Sequence, residues 1–353
     1  MGFMESLVED KKKYILSILI FGLLIVLTFW LIFKDHDILS VLPALLQANP
    51  LWLAVGVLCM FGYICCEAAN IYFLTNTFRE SAKFRSCIKY AFVGFYFSSI
   101  TPSSTGGQPA QVYYMSKDKI KVGASTLGFL IMLASLQCVT LLFGVVMLCL
   151  RGSFVFANMG GIWVLFLYGS LFYIFMILVL AFAIFSESLL KKLAVGAVAL
   201  LVRIHLIKNQ YAVTKKVLGV IQNYTSCASY IKKTPVVLFK TMGISTCQIL
   251  FQFSVPYFVY LAFGLNTYSY LDILALQTIL TICVSSLPLP GAVGASEGSF
   301  LKMFYVIFGA DLVLPAMLVN RGISFYLFLI LSAIITMFAH FRLLRRQRHT
   351  SVK

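Results

Sequence analysis

The sequence predicts an all-α polytopic membrane protein, with six full transmembrane helices plus two re-entrant helical hairpins in an inverted-repeat arrangement. Three observations lead there. Of 353 residues, 61% are hydrophobic and 11% charged, against about 25% charged in an average soluble domain, so polar side chains are too few to cover a soluble globule. Apolar runs recur at 14–33, 50–78, 88–115, 122–150, 161–186, 235–263, 271–309 and 312–341, and a helical crossing needs about 20 such residues. Two of the runs are broken midway by Pro/Gly/Ser clusters.

Run 14–33 follows Lys11, Lys12 and Lys13 and ends in bulky Phe29, Trp30 and Phe33. Without a small-residue cleavage site it reads as a retained helix rather than a signal peptide. The net charge of +16 raises nucleic acid as a partner, but the placement of the basic residues excludes that reading. Three precede run 14–33; four are Arg79, Lys83, Arg85 and Lys89; three are Lys117, Lys119 and Lys121. Eight lie between Lys191 and Lys233, and five close the chain from Arg342 to Lys353, making 23 of 28. By the positive-inside rule these loops are cytoplasmic, and so are both termini.

Both flanks of run 88–115 are then cytoplasmic, which a straight helix cannot achieve. Its centre, Thr101-Pro102-Ser103-Ser104-Thr105-Gly106-Gly107-Gln108-Pro109, breaks a helix. The prediction is a re-entrant hairpin with half-helices at 88–100 and 109–115. Run 271–309 is too long for one crossing and is broken by Leu287-Pro288-Leu289-Pro290-Gly291-Ala292-Val293-Gly294. Lacking basic flanks, it forms a second hairpin from the opposite face. Residues 1–150 thus make a first membrane repeat containing hairpin 88–115. Residues 151–341 make a second, inverted repeat containing hairpin 271–309, and 342–353 form a basic tail. Interrupted helices in corresponding halves are a transporter design. Setting Pro102 on Pro288 sets Gln111 on Glu297. The insert 187–233 mixes leucines and valines with lysines, as does a helix lying on anionic headgroups; a solvated connector is the alternative.

Ionisable groups deep in a span are costly and therefore site candidates: Glu67, Glu297 and Arg321. Arg321, nine residues into its run, lies about 14 Å deep, and Glu297 follows the second tip. Two readings stand, a pair that fixes the fold or a guanidinium offered to a phosphate with Glu297 as counter-charge. The second half-helix of each hairpin begins at the tip, so its free N–H groups and dipole favour an anion. The first tip adds the polar groups of Thr101, Ser103, Ser104, Thr105 and Gln108, close backbone approach at Gly106 and Gly107, and Gln111. In the second, Pro290, Gly291 and Gly294 shape the turn and Ser296 is a cap candidate. Glu67 and Asn70 share one helix face. With Gln137, Gln248, Gln252 and Gln277 they form either a polar path or ordinary interhelical hydrogen bonds; Glu67 is also a candidate proton carrier. The nine Cys stand singly apart from Cys65-Cys66, and no CxxC, HExxH or Cys/His cluster occurs, so neither metal nor cofactor is expected.

The segments SITPSSTGGQPAQVYYM (99–115), LPLPGAVGASEGSF (287–300) and NRGISFY (320–326) together resemble the membrane region of the lysylphosphatidylglycerol synthase and flippase family over essentially the whole chain. The resemblance implies translocation of a lipid and site positions at Gly106, Gly107, Gln108, Pro290, Gly291, Glu297 and Arg321. Relatives often carry an acidic residue beside the first glycine pair, where this chain has Gln108 and Gln111. The resemblance also implies membrane lipids as partners, an anionic or aminoacylated phospholipid, in a bacterial cell membrane; separately, a second copy of the chain is a candidate partner. The chain ends twelve residues beyond the last run, so a soluble synthase domain is not expected within it. The expected function is lipid translocation rather than catalysis. A membrane-embedded transferase or glycosyltransferase with Glu297 as general base, and a small-solute transporter of the same architecture, are the alternatives.

The topology is testable by thiol labelling. Single cysteines in a Cys-free background, Ser104→Cys and Val293→Cys, should react slowly and from opposite sides of the membrane; rapid labelling of either from both sides would contradict the hairpins.

Overall fold

A computed structural model describes Pro43, residues 46–185 and residues 210–350, the side chains of 185, 210–218 and 344–350 excepted. The first apolar run, the 187–209 part of the insert and the last three residues of the tail lie outside the described residues. Eleven α-helices follow in order: α1 (Pro50–Thr77), α2 (Phe84–Ile100), α3 (Gly107–Lys117), α4 (Val122–Met159), α5 (Trp163–Phe185), α6 (Gln210–Lys233), α7 (Val236–Ala262), α8 (Tyr270–Ser285), α9 (Ala295–Met303), α10 (Tyr305–Arg321) and α11 (Leu327–Thr350). Short 3₁₀ turns lie at Pro102–Ser104, Gly160–Ile162 and Pro290–Ala292, and a π-turn at Gly322–Tyr326.

Among the described residues four helical stretches are long and apolar enough to cross a membrane: Pro50–Thr77, Val122–Ile184, Val236–Ala262 and Tyr305–Leu343. The second has 63 residues, which as one straight helix would reach about 95 Å, three times the hydrocarbon thickness. It bends at Arg151 (φ −136°) and reverses at Gly160 (φ 50°), separating α4 from α5 where the sequence shows two runs. Helix α4 therefore continues nine residues past the expected break at 150. Residues 88–115 and 271–309 both contain the helix–turn–helix that their Pro/Gly/Ser clusters predict. The second such unit closes at Met303, and the last apolar stretch begins at Tyr305, earlier than the run at 312.

Without water to drive apolar surfaces together, membrane helices associate through close packing and interhelical hydrogen bonds. The pairing of α1 with α7 uses both. Gly62 lies against the Phe251 ring, and Asn70 Nδ2 donates to Ser245 Oγ at 3.2 Å. Helix α8 is gripped by Gly144 of α4 and Gly169 of α5, both facing Ile282. The pairing also exchanges partners between the two halves: α4, which follows the first helix–turn–helix, packs on α8 of the second, and α11 packs on α2 of the first.

Ion pairs mark the ends of the broken helices. Lys89 and the Tyr90 hydroxyl both reach Asp118 at the close of α3, and Arg151 pairs with Asp272 at 3.1 Å where the capping box of Ser269 and Asp272 opens α8. Helix α6 of the insert is clamped at α4, where Ala124 N–H donates to Asn223 Oδ1 at 2.9 Å, and at α5, where Tyr224 OH donates to the Ala183 carbonyl. Asn223 and Tyr224 thus tie α6 to the start of α4 and the end of α5.

A Cβ on Gly169 would stand 2.1 Å from the Ile282 carbonyl oxygen, which is backbone and cannot yield, whereas one on Gly243 meets nothing within 4 Å. Gly169→Ala should cost about 1–3 kcal/mol and lower the thermal midpoint in detergent, while Gly243→Ala leaves it level or higher.

Candidate functional site

The two turns meet: the Pro102–Ser104 and Pro290–Ala292 segments touch. Their backbones also coincide at the start. Thr101 and Leu289 are extended (φ −111°, ψ 146° and φ −106°, ψ 135°) and a proline follows each; Ser103 and Gly291 then adopt left-handed angles (φ 50°, ψ 25° and φ 58°, ψ 15°). Ser104 and Ala292 do the same, at φ 55° and 52°. The spacing to the next helix is equal too, with Gly106 and Gly294 directly preceding α3 and α9. Pro290, rather than Pro288, is therefore the counterpart of Pro102, and Ser299, rather than Glu297, stands where Gln111 stands. The proline count alone misleads because two prolines lie two residues apart in the second tip and only the later one begins its turn.

After that start the tips diverge according to what each ties. In the first, the Thr101 hydroxyl donates to the Phe97 carbonyl at 2.7 Å and accepts from Gly106 N–H at 2.8 Å. In the second, Gly294 takes φ 85° and its N–H donates to Glu297 Oε2 at 2.7 Å. A neutral hydroxyl anchors one turn and a carboxylate the other. Glycine is required at 291 twice over, by its positive φ and by the Phe325 ring, which lies 2.4 Å from where a Cβ would be. At Gly107 a Cβ would fall on Ser98 Oγ and close to the Gly94 carbonyl, so this glycine sets how closely α3 folds back on α2.

Glu297 is 1% exposed. Its other oxygen, Oε1, accepts from Arg321 Nε at 2.7 Å, and Arg321 Nη2 donates to the Gly291 carbonyl at 3.0 Å. The guanidinium also lies over the Phe325 ring, 4.7 Å from its centroid, a cation–π contact. Arg321 ends α10 where the π-turn Gly322–Tyr326 begins; such single π-turns often mark functional positions. The pair anticipated between Glu297 and Arg321 is present, and it closes a ring through both ends of the second tip.

These groups border a cavity of about 590 Å³. Ser103, Ser104, Thr105 and Gln108 of the first tip line it, together with Gly291 and Ser296 of the second, Arg321, Glu67 and Gln111. Ser296 lies inside α9, with Gly294 at the cap position, so its role as a cap is corrected. Thr101, Gly106, Gly107, Pro290, Gly294 and Glu297 stand behind the lining as the turns' framework. Gln111 does not answer Glu297 across the halves. Its Nε2 donates to Glu67 Oε1 at 2.7 Å and to the Tyr90 carbonyl at 3.1 Å, joining α3 to α1 and α2. Asn70, on the face of Glu67, is buried in the contact with Ser245 and is not on the cavity wall. Gln137, Gln248, Gln252 and Gln277 do line it, as do Tyr63, Asn320 and Ser324, which the sequence reading did not single out. For Asn320 the signal was its place beside Arg321 in the NRGISFY segment.

Fold and site together define a helical membrane protein whose polar interior cavity is built around two touching helix breaks and one buried Arg–Glu pair. The chain belongs to the family described as the lysylphosphatidylglycerol synthase transmembrane region, whose model matches residues 14–332. It is thereby a multi-pass member of a membrane-embedded, lipid-related family. Comparison with curated proteins gives no match.

Removing one member of a buried ion pair strands the other charge, at a cost of about 3–5 kcal/mol, whereas removing both costs far less. Arg321→Met and Glu297→Gln should each depress the thermal midpoint, and the double variant should recover a large part of the loss. Additive losses would mean that the two residues act independently.

Proposed function

We propose that the protein is a lipid translocase, carrying a phosphate-bearing headgroup through the central cavity while the acyl chains stay in the bilayer. The observation that carries this reading is Arg321. Its guanidinium is fixed on one side by Glu297 and the Gly291 carbonyl, yet it lines a polar cavity between two helix breaks. A planar cation of this kind suits a phosphate oxygen pair. The starts of α3 and α9 at the tips add a favourable helix dipole, and Ser103, Ser104 and Gln108 add neutral donors. Because the Arg321 charge is balanced by Glu297, the empty site is not a bare cation in hydrocarbon, and an arriving phosphate competes for an existing partner.

In this reading the chain crosses the membrane six times, the two helix–turn–helix units are re-entrant hairpins from opposite faces, and both termini are cytoplasmic in a bacterial cell membrane. The shared turn backbone and the exchange of packing partners between α4/α8 and α11/α2 support an inverted repeat. Anionic or aminoacylated phospholipids are the lipids the family suggests. A transferase using Glu297 as base is less well supported, because both carboxylate oxygens are already engaged and a general base needs a free one within reach of its proton.

The test is reconstitution of the full chain in liposomes carrying acyl-labelled phospholipids, with leaflet exchange followed by quenching of the outer label. Wild type should equilibrate the label and Arg321→Ala should slow exchange by at least about a hundredfold, the scale of a lost bidentate charged contact. Arg321→Lys should restore only part. Mass spectrometry of the lipids should find them chemically unchanged; exchange by Arg321→Ala at the wild-type rate would remove the proposed role.

A further inference from the structure

Six acidic side chains fall among the described residues, and their surroundings divide them. Glu80 pairs with Lys121, Asp118 with Lys89, Asp272 with Arg151 and Glu297 with Arg321, while Asp311 lies on an exposed face of α10. Glu67 has neither escape. It stands in α1, ten residues from Thr77 at the nearer end of that helix, about 15 Å along the axis, and no cation among the described residues pairs with it. It lines the same cavity as Arg321. An acid left alone at such depth is costly as a carboxylate and is a functional candidate for that reason.

Its seat fixes one oxygen and leaves the other open. Gln111 Nε2 donates to Glu67 Oε1 at 2.7 Å and to the Tyr90 carbonyl at 3.1 Å, so turning this amide over would set its oxygen against two acceptors. Gln111 is 2% exposed, and its amide lies 2.1 Å from where a Cβ on Gly94 would be; it is held in place. Glu67 Oε2 accepts no hydrogen bond among the described residues, whereas both oxygens of Glu297 are taken. The elements packed on α1 present neutral groups to the cavity: Gln248 from α7, Ser98 from α2, Gln137 from α4 and Ser324 from the π-turn. Tyr63, one turn earlier on α1, is the titratable neighbour. The Tyr90 hydroxyl and Lys89 of α2 are engaged at Asp118, Lys240 of α7 lies over the Phe73 ring, and Arg321 is held by Glu297. One free carboxylate oxygen among amides and a phenol suits a proton; a hard metal ion takes about six or more oxygens.

We infer that Glu67 is a proton-binding site linked to the anion site at Arg321, so that an anionic headgroup and a proton occupy the cavity together. In the step itself the Glu67 carboxylate takes a proton from water on the side open to the cavity and becomes the carboxylic acid, and the proton returns to water on the other side. The link is electrostatic. A phosphodiester at Arg321 adds a negative charge to a space that already holds Glu67, so phosphate binding favours the protonated carboxyl, and by reciprocity the proton favours the phosphate. Resting on the translocation reading, this makes lipid movement a proton cotransport in which the two charges cancel. A pH difference drives it and a membrane potential does not.

Two measurements on the full chain separate this link from translocation itself. In detergent, infrared difference spectra follow the carboxyl C=O bands as dimethyl phosphate, a phosphodiester monoanion, is added. Wild type should gain a carboxylic acid band, Glu67→Asp should keep one, and Glu67→Gln should not show it. In liposomes, acyl-labelled phosphatidylglycerol is followed under an imposed pH difference, with protein-free liposomes as background. Label placed on one side reports whether exchange occurs; label placed in both leaflets reports whether it is driven. Wild type should concentrate the second kind in the leaflet facing the alkaline side, by about tenfold per pH unit for one proton per lipid, at either sign of a clamped potential. Glu67→Gln should leave it evenly divided. The acid band without exchange by wild type would refute translocation and leave the linked proton site standing. Exchange without concentration, concentration by Glu67→Gln equal to wild type, concentration driven by sodium at equal pH, or an acid band that is absent or survives in Glu67→Gln would each overturn the inference. The wild-type response to the pH difference is decisive even where Glu67→Gln fails to fold.

Discussion

The contact between Glu297 and Arg321 organises the centre of this molecule. A charge in the middle of a bilayer is tolerated only with a partner, and here each member does more than neutralise the other. The carboxylate turns the Gly294 N–H inward and so sets the start of α9; the guanidinium takes the Gly291 carbonyl and so holds the tip from its other end. The π-turn after Arg321 and the Phe325 ring beneath the guanidinium complete the seat. Remove the pair and the second helix break loses both of its anchors, the cavity loses its cation, and the touching tips lose one side of their contact.

Much of this was legible in the sequence, because membranes make composition informative. Runs of apolar residues without water-seeking neighbours can only be helices, and the loops sorted themselves by lysine and arginine. Breaks at Thr101–Pro109 and Leu287–Gly294 were visible as proline and glycine where neither belongs in a helix. The scarcity of charge made Glu297 and Arg321 conspicuous, and their meeting needed only that both lie near the same depth. What escaped was decided by three-dimensional proximity. Which of Pro288 and Pro290 opens the turn depends on backbone angles that a proline pair leaves open. Whether Ser296 or Gly294 caps α9 depends on Glu297 reaching back three residues, which lets a glycine with no side chain occupy the cap. That Gln111 answers Glu67, far away in the chain, follows from the tight folding of α3 on α2 across Gly107 and Gly94, a distance no spacing rule contains.

The packing shows how a polar interior survives in an apolar solvent. Glycines at 62, 144 and 169 let helices approach until side chains and backbones interlock, and polar contacts such as Asn70 with Ser245 are buried within those seams. Charged pairs are kept mostly at the ends of broken helices, as with Asp118 and Asp272. Among the described residues the cavity is thereby left to neutral amides, hydroxyls, the compensated Arg321 and the Glu67 carboxyl.

The two tips share a backbone and differ in their anchors, and this bears on how such a chain can change over generations. The first tip is tied within itself, Thr101 to Gly106, five positions apart; serine in place of threonine keeps the bond, and each step of drift is viable alone. The second is tied across 24 positions, Glu297 to Arg321. Neither residue can be exchanged singly without stranding a charge, so that tip can move through sequence space only by paired substitutions. The anchor of the first tip can thus change one residue at a time, while that of the second changes only in pairs.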